Sequence, residues 1–326
     1  MQSLIDGRLR RRLGAPPPQS GKGAPNEARD DELARPGNAY RPDRSSTPST
    51  QIDDPVLVIG GGGVRGITWA LGVLIGLGDA SPSPQRSARV VGTSASATVG
   101  VQLTTGRLQR AFDDQFRTTS ELSADIDFGS YLAHLDSLVA GSTSGTEARR
   151  HGGQIGRYAI ESATVSDAAR PAAVAARRAG TDWPVGGQLL IPAVRADAGE
   201  LVVLNRGWGC DLVDAIAASY AVPGIWPVVT IAGRRLMDGG ERSACKAAGG
   251  PASGPLLVIV SSRLDERAQR RLERENPDLP LVTIAVDDAA IAAIGLNPFD
   301  PKMRSPAAGR LQGNAARAAL ETVHAA

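Results

Sequence analysis

Residues 55–77 read PVLVIGGGGVRGITWALGVLIGL. An apolar run from Val56 to Ile59 meets four consecutive glycines, Gly60 to Gly63, and then apolar residues on every helical face. The stretch is membrane-length, but Arg65 and the glycines suit a strand–loop–helix better than a spanning helix. A continuously apolar strand is covered on both faces of its sheet. A helix apolar all round needs protein on every side, so this one is expected to be sandwiched inside the domain.

The pattern repeats at ARVVGTS (88–94), a second apolar strand, followed by the small-residue helix ASATVGVQLTTG (95–106). Two such units predict a parallel sheet with covered faces. Residues 107–184 are charged and alanine-rich, with helical periodicity around Leu108, Phe112, Phe116 and around Tyr131, Leu132, Leu135, Leu138. They read as two or more helices laid over the sheet, interrupted by a flexible GSTSGTE (141–147). QLLIPAVRA (188–196) and ELVVLNRG (200–207) read as a hairpin turning at Asp197-Ala198-Gly199, and DLVDAIAASYA (211–221) as a helix. Two short strands are expected around Ala232-Gly233, then buried strands at PLLVIVSS (255–262) and PLVTIAVDD (280–288). A polar, alanine-rich helix near 306–323 follows.

Composition bounds the rest. The 326 residues are 42% apolar and 21% charged, ordinary for a globular protein with a full core. A formal net charge of +2 argues neither for a nucleic-acid surface nor for an acidic partner. Lysine stands only at 22, 246 and 302, so arginine carries nearly all positive charge. Cys210 and Cys245 form no CxxC and no zinc spacing, and read as two reduced thiols. Residues 1–51 read as a disordered Pro/Arg/Ser-rich tail, and 52–326 as one α/β domain containing the helical cap region 107–184. RLRRRLGAPPPQ (8–19) is basic, but no apolar core of a secretory signal follows it, so a cytoplasmic protein is expected.

Three features bear on chemistry. Gly61-Gly62-Gly63-Val64-Arg65-Gly66 lies between strand and helix, where backbone N–H groups and the helix dipole can face an anion. Alone it is weak, since a dinucleotide-binding turn looks alike. That alternative wants an acidic residue ending the second strand. This strand ends in Gly92-Thr93-Ser94, and no Gly-Lys-Ser/Thr makes a phosphate loop.

The second feature is Gly92-Thr93-Ser94-Ala95-Ser96. A serine held on a sharp strand-to-helix turn needs tiny neighbours, which Gly92 and Ala95 supply. Ser96 stands where such an elbow usually has its second glycine. The plain alternative is a Ser/Thr N-cap opening a helix. The third is Asp238-Gly239-Gly240, which alone is a common turn sequence, as Asp6-Gly7 illustrates.

Together these features resemble the bacterial branch of the patatin-like phospholipase family, over most of residues 55–310. The run AASYAVPGIWPVVTIAGRRLMDGG (217–240) is similar to the family's Ala-Ser-x-Ala-x-Pro segment leading into its aspartate, and NPFDP (297–301) also matches. The resemblance implies a three-layer α/β/α sandwich with a mostly parallel central sheet. It also implies a Ser–Asp dyad hydrolase of lipid acyl esters, working without metal or cofactor. Carried over, Ser94 would be the nucleophile, Asp238 the base, and residues 61–66 the oxyanion hole.

That chemistry is coherent by itself. A serine hydroxyl needs a neighbour to accept its proton, and an aspartate can do so if burial raises its pKa. Arg65 reads equally as a positive charge near a phosphate head group or as a structural pin of the loop. The order Ser94, Asp238, His324 mimics a Ser–Asp–His triad, but His324 lies beside an end expected to fray. His134 and His151 read as surface positions.

The pairs Arg149-Arg150 and Arg177-Arg178 could hold anionic lipid but read more simply as solvated helix faces. Trp183, Trp208 and Trp226 could seat at a lipid interface, yet each stands beside a turn-forming Pro or Gly. The expected partner is a lipid or phospholipid ester, with peripheral membrane contact and no nucleic acid. The rival from another class is a non-catalytic lipid- or partner-binding member of the same fold, its elbow relaxed by Ser96.

Overall fold

The computed structural model describes residues 55–78, 83–116, 127–139, 145–162, 164, 180, 182–186, 188–241, 255–264, 266–277, 279–295, 297–298 and 305–325. The tail read at 1–51 lies outside them, as do Cys245, Arg177 and Arg178. In chain order the elements are β1 (Val56–Ile59), α1 (Gly63–Leu77), β2 (Arg89–Gly92), α2 (Ala97–Thr104), α3 (Leu108–Asp114), α4 (Phe128–Val139) and α5 (Gly145–Glu161). Then come β3 (Leu189–Arg195), β4 (Leu201–Leu204), α6 (Leu212–Ser219), β5 (Val229–Ile231), β6 (Arg234–Asp238) and β7 (Leu256–Val260). The last are α7 (Glu266–Glu275), β8 (Leu281–Ala285), α8 (Asp288–Ile294) and α9 (Pro306–Ala325).

One sheet runs β5-β6-β3-β2-β1-β7-β8, with β4 pairing β3 off this path. The pairs β3–β2, β2–β1, β1–β7 and β7–β8 are parallel, whereas β4 and β6 run antiparallel to β3. Alternation along each central strand sorts its side chains between two cores. Leu57, Ile59, Val90, Leu257 and Ile259 face the large core with α1, α2, α6, α8 and α9. Val56, Val58, Val91, Leu256 and Val258 face the other side, where Leu272 of α7 packs. Helices therefore cover both faces, giving the expected three-layer α/β/α sandwich.

The sandwiched position expected of α1 is observed: Trp69, Leu71, Val73, Leu74 and Leu77 are all buried. Its far side is sealed by α9 through glycines on both helices. A Cβ at Gly72 or Gly76 would overlap the carbonyl oxygen of Pro306 or Arg310, and one at Gly309 or Gly313 that of Trp69 or Val73. The seam is locked by Trp69 Nε1 donating to Gln312 Oε1 at 3.1 Å. Arg317 closes it by donating to the last carbonyl of α1, Leu77 O, at 3.0 and 3.1 Å.

The described part of residues 107–184 includes α3, α4 and α5. The segment GSTSGTE, expected to be flexible throughout, is helical from Gly145, so its last three residues open α5. Tyr131 anchors α4 by donating to Pro223 O at 3.1 Å, and Leu135, Ile155 and Ala159 pack on Val194 and Met237. The tryptophans pack beside their turns: Trp183 Nε1 donates to Cys210 O at 2.7 Å, Trp208 lies under Arg234, and Trp226 is buried.

Candidate functional site

The carboxyl ends of β1, β2 and β7 lie side by side, the position where open parallel sheets gather their ligands. Gly60 to Gly63 leave β1, the Gly92–Ser96 turn leaves β2, and Ser261 leaves β7. Asp238 ends β6 and faces the same point from the antiparallel part of the sheet.

Ser94 has φ 56, the left-handed region that a non-glycine residue adopts only when its surroundings hold it there. Three contacts do so. Gly92 lies so close to the following helix that a Cβ on it would stand 2.7 Å from Ala97 Cα and 2.8 Å from Ser96 O. The Ser94 N–H donates to Ser219 Oγ at 2.8 Å, and its hydroxyl donates to Asp238 Oδ2 at 2.6 Å. A short turn of 3-10 helix, Ser94–Ser96, then enters α2.

Asp238 is only 6% exposed. Its backbone N–H donates to Ala221 O at 3.0 Å, and its Oδ1 accepts the Gly240 N–H at 2.7 Å. Burial pushes the carboxyl pKa up to about 6, against the opposing pull of the Ser94 and Gly240 hydrogen bonds. Gly239 is pressed against the Pro192 carbonyl, where a side chain would overlap. The neighbouring Tyr220 hydroxyl is pushed upward by burial and then by the Asp238 charge.

The glycine loop lies against Ser94: a Cβ on Gly61 would stand 3.3 Å from Ser94 Cβ. The six residues expected to form one anion cradle divide into two sets. The Val64 N–H donates to Pro298 O and the Gly66 N–H to Gly62 O, each at 3.0 Å, so neither amide is available to a ligand. Those of Gly61, Gly62, Gly63 and Arg65 have no acceptor among the described residues. The Arg65 side chain is buried, donates to Gly295 O, and keeps its Nε unpartnered among the described residues. Of the two readings of Arg65, the geometry supports the structural pin.

Thr93 and Ser96 are buried, and among the described residues neither hydroxyl has a partner. His134 and His151, expected at the surface, are half-buried. The His134 ring packs edge-on to Tyr158 with centroids 4.9 Å apart, and both Nε2 atoms are buried without partners among the described residues. Packing of α4 on α5 covers His134, which the helical pattern alone leaves on an outer face. No histidine among the described residues is hydrogen-bonded to Ser94 or Asp238, and the His324 side chain lies outside them.

Sequence reasoning met Ser219 only as part of the Ala-Ser-x-Ala-x-Pro segment, with no role assigned, and missed Ser261. Ser219, fully buried at the end of α6, holds the Ser94 amide. Ser261 donates to Gly61 O at 3.0 Å and fills the space a side chain at Gly62 would need. The available signal for Ser261 is a polar residue ending a buried strand, which the fold sets beside the end of β1. No group of three or more His, Cys, Asp or Glu among the described residues could hold a metal ion. None of the described helices is long and apolar enough to cross a membrane.

Among solved structures, VipD from Legionella pneumophila is similar over 86% of this chain and 68% of its own, with 11% identity and a TM-score of 0.45. The type III effector protein ExoU aligns over 86% of this chain and 53% of its own, with 18% identity and a TM-score of 0.38. ExoU in complex with SpcU, from the type III secretion system of Pseudomonas aeruginosa, gives 13% identity and a TM-score of 0.38 over 85% of this chain and 52% of that one. The chain thus spans about half the length of ExoU. No curated protein matches the sequence. The model of the patatin-like phospholipase family, however, matches residues 57–248, a span that contains the glycine loop, Ser94, Ser219 and Asp238. By that match over more than half its length, the chain belongs to the patatin-like phospholipase family.

Proposed function

We propose that this protein hydrolyses carboxylic esters of lipids, with Ser94 as nucleophile and Asp238 as general base. The observation that carries the reading is the 2.6 Å hydrogen bond from Ser94 Oγ to a buried Asp238 carboxylate, made by a serine held at φ 56. Family membership supplies the substrate class.

Above a pH of about 6 the Asp238 carboxylate is ionised and can accept the Ser94 proton. Ser94 Oγ then attacks the ester carbonyl carbon, and the carbonyl electron pair moves to oxygen. The N–H groups of Gly61, Gly62, Gly63 and Arg65 are the donors that remain to face this oxyanion, each good donor contributing about 3–4 kcal/mol. Collapse breaks the ester C–O bond, and the Asp238 proton goes to the leaving alcohol. Water then attacks the acyl-Ser94 carbonyl, giving its proton to Asp238. The second collapse releases the fatty acid and returns that proton to Ser94. A lipid ester substrate brings the protein to a lipid surface, so the association is peripheral.

The test is a lipid-panel hydrolysis assay with the Ser94→Ala variant, alongside fluorophosphonate labelling of the parent protein. Labelling at Ser94, and a loss of turnover by several orders of magnitude in a folded Ser94→Ala protein, are expected. A parent protein that neither labels nor hydrolyses any lipid ester would favour the binding-only alternative. Full activity in Ser94→Ala would move the nucleophile elsewhere.

A further inference from the structure

A second concavity lies away from Ser94, between α5 and the β3–β4 turn. It measures about 550 Å³ and is lined by Arg150, Gly153 and Arg157 of α5, Asp197 and Ala198 of the turn, and Arg235 of β6. Arg150, Gly153 and Arg157 are spaced by three and four residues, so they share one face of α5. Side chains alternate along β6: Met237 packs beneath α4 and α5, while Leu236 faces the large core. Arg235 therefore lies on the Met237 face of the sheet, opposite Asp238 and about 10 Å along the strand from it.

The cavity is shaped by glycines. A Cβ on Gly152 would stand 2.6 Å from Gly199 Cα, and one on Gly156 would overlap Ala196 O, so α5 lies directly on the hairpin. Gly153, facing the cavity, has nothing within 4 Å of its Cβ position. Small residues bring the walls together and leave the space between them open.

Its charge is only partly compensated, by an Asp197 carboxylate that also feels the Arg235 charge. Arg195 occupies both Asp197 oxygens at 3.1 and 3.0 Å and also Glu200 at 3.1 Å, so the one carboxylate of the lining is already paired. Arg150, Arg157 and Arg235 have no carboxylate within ion-pair distance among the described residues, and Arg157 makes only a long 3.5 Å contact to Gly153 O. Three guanidiniums around one concavity repel one another, and an anion between them reverses that sign. Guanidinium forks match phosphate oxygens in bidentate geometry, and the volume suits a head-group-sized ligand.

We propose that this cavity, lined by Arg150, Arg157 and Arg235, is a second ligand site that takes a phosphate-bearing group, separate from the Ser94–Asp238 pair. The proposal does not depend on what Ser94 does. The phosphate can belong to a soluble molecule or to a phosphomonoester lipid head group at a membrane surface.

The test uses the full chain carrying Ser94→Ala, so that no ester is consumed. Inorganic pyrophosphate is titrated by calorimetry, and cosedimentation is measured with phosphatidylcholine vesicles with and without phosphatidic acid. Two further variants are compared: Arg150→Gln/Arg157→Gln/Arg235→Gln, and Gly153→Leu, which fills the cavity while keeping its charges. Leucine favours helix and meets no atom at the Cβ position, so this variant folds.

The expected result is one-to-one pyrophosphate binding that weakens about tenfold or more in both variants and falls with added salt. Recruitment to phosphatidic acid vesicles, competed by pyrophosphate, identifies the lipid source; pyrophosphate binding without recruitment identifies a soluble one. Absence of binding to either probe overturns the proposal. So does binding that the triple variant loses but Gly153→Leu retains, which is the behaviour of exposed charge without a site.

Discussion

The hydroxyl of Ser219 accepts the backbone N–H of Ser94 at 2.8 Å, with both residues buried. This bond fixes the amide of a residue held at positive φ, so it holds the serine hydroxyl in line with Asp238. Ser219→Ala leaves that N–H unsatisfied, at a cost of about 1–3 kcal/mol, and frees Ser94 to relax toward negative φ. The variant is expected to lose about tenfold or more in kcat with little change in KM, because the serine moves while the substrate surface stays. Parallel losses of kcat in Ser219→Ala and of fluorophosphonate labelling rate check this. Unchanged labelling in a folded variant would make Ser219 merely structural.

In the proposed mechanism Asp238 links catalysis to stability with opposite signs. Its folded pKa of about 6 lies above the ordinary 3.8, so the native state favours the protonated form. Stability from this group is full below about pH 4 and lost as pH rises through about 6, by up to about 3 kcal/mol. Asparagine at 238 can accept from Gly240 and donate to Ser94 Oγ without ever ionising. Asp238→Asn is therefore expected to unfold at higher denaturant concentration than the parent protein near neutral pH, with the gap closing toward about pH 4. Turnover collapses in the same variant. A gap that is constant with pH would mean that Asp238 is not the strained ionisable group.

Ser96 tests the departure from the usual elbow. Its hydroxyl is buried and has no partner among the described residues, so deleting it removes a desolvated polar group. Ser96→Ala is expected to gain about 1 kcal/mol of stability and keep its activity. Ser96→Gly also keeps or raises activity, but gives back up to about 1 kcal/mol through backbone freedom. Denaturation midpoints and turnover of the two variants decide, and a large activity loss in both would give the hydroxyl a direct role.

The parts of the site legible in the sequence are those where the backbone itself demands a residue type. Gly60 to Gly63 and Gly92 mark turns that leave buried strands, and Ser94 stands where one of them is too tight for a larger neighbour. The parts not legible depend on chain-distant partners. Ser219 meets Ser94 across 125 residues and Ser261 meets Gly61 across 200, and a serine at the end of an apolar run announces neither contact. The same limit applied to the amides of Val64 and Gly66, which motif spacing assigns to the anion cradle but the fold engages with Pro298 O and Gly62 O. Half-burial of His134 and His151 is likewise not legible, because neither the helical pattern around His134 nor the arginines and glycines beside His151 say which helix covers which face.

The remaining prediction concerns the identity of the base. The buried Asp238 titrates near pH 6, close to the ordinary range of histidine, so the acid limb of a rate profile cannot by itself name the residue. Substitution separates them. In the parent protein kcat/KM for a soluble ester is expected to rise with pH through about 6, as Asp238 loses its proton. His134→Gln, His151→Gln and His324→Gln, singly or together, are expected to leave that limb and the plateau in place, since the Asp238 oxygens are occupied by Ser94 and Gly240. Asp238→Glu keeps the carboxylate but lengthens its reach, misplacing the proton acceptor against a serine locked by Ser219. It should retain a carboxylate-controlled limb at a much reduced plateau. Loss of the limb in His324→Gln, with Asp238→Asn still active, would replace the two-residue arrangement by one that uses imidazole.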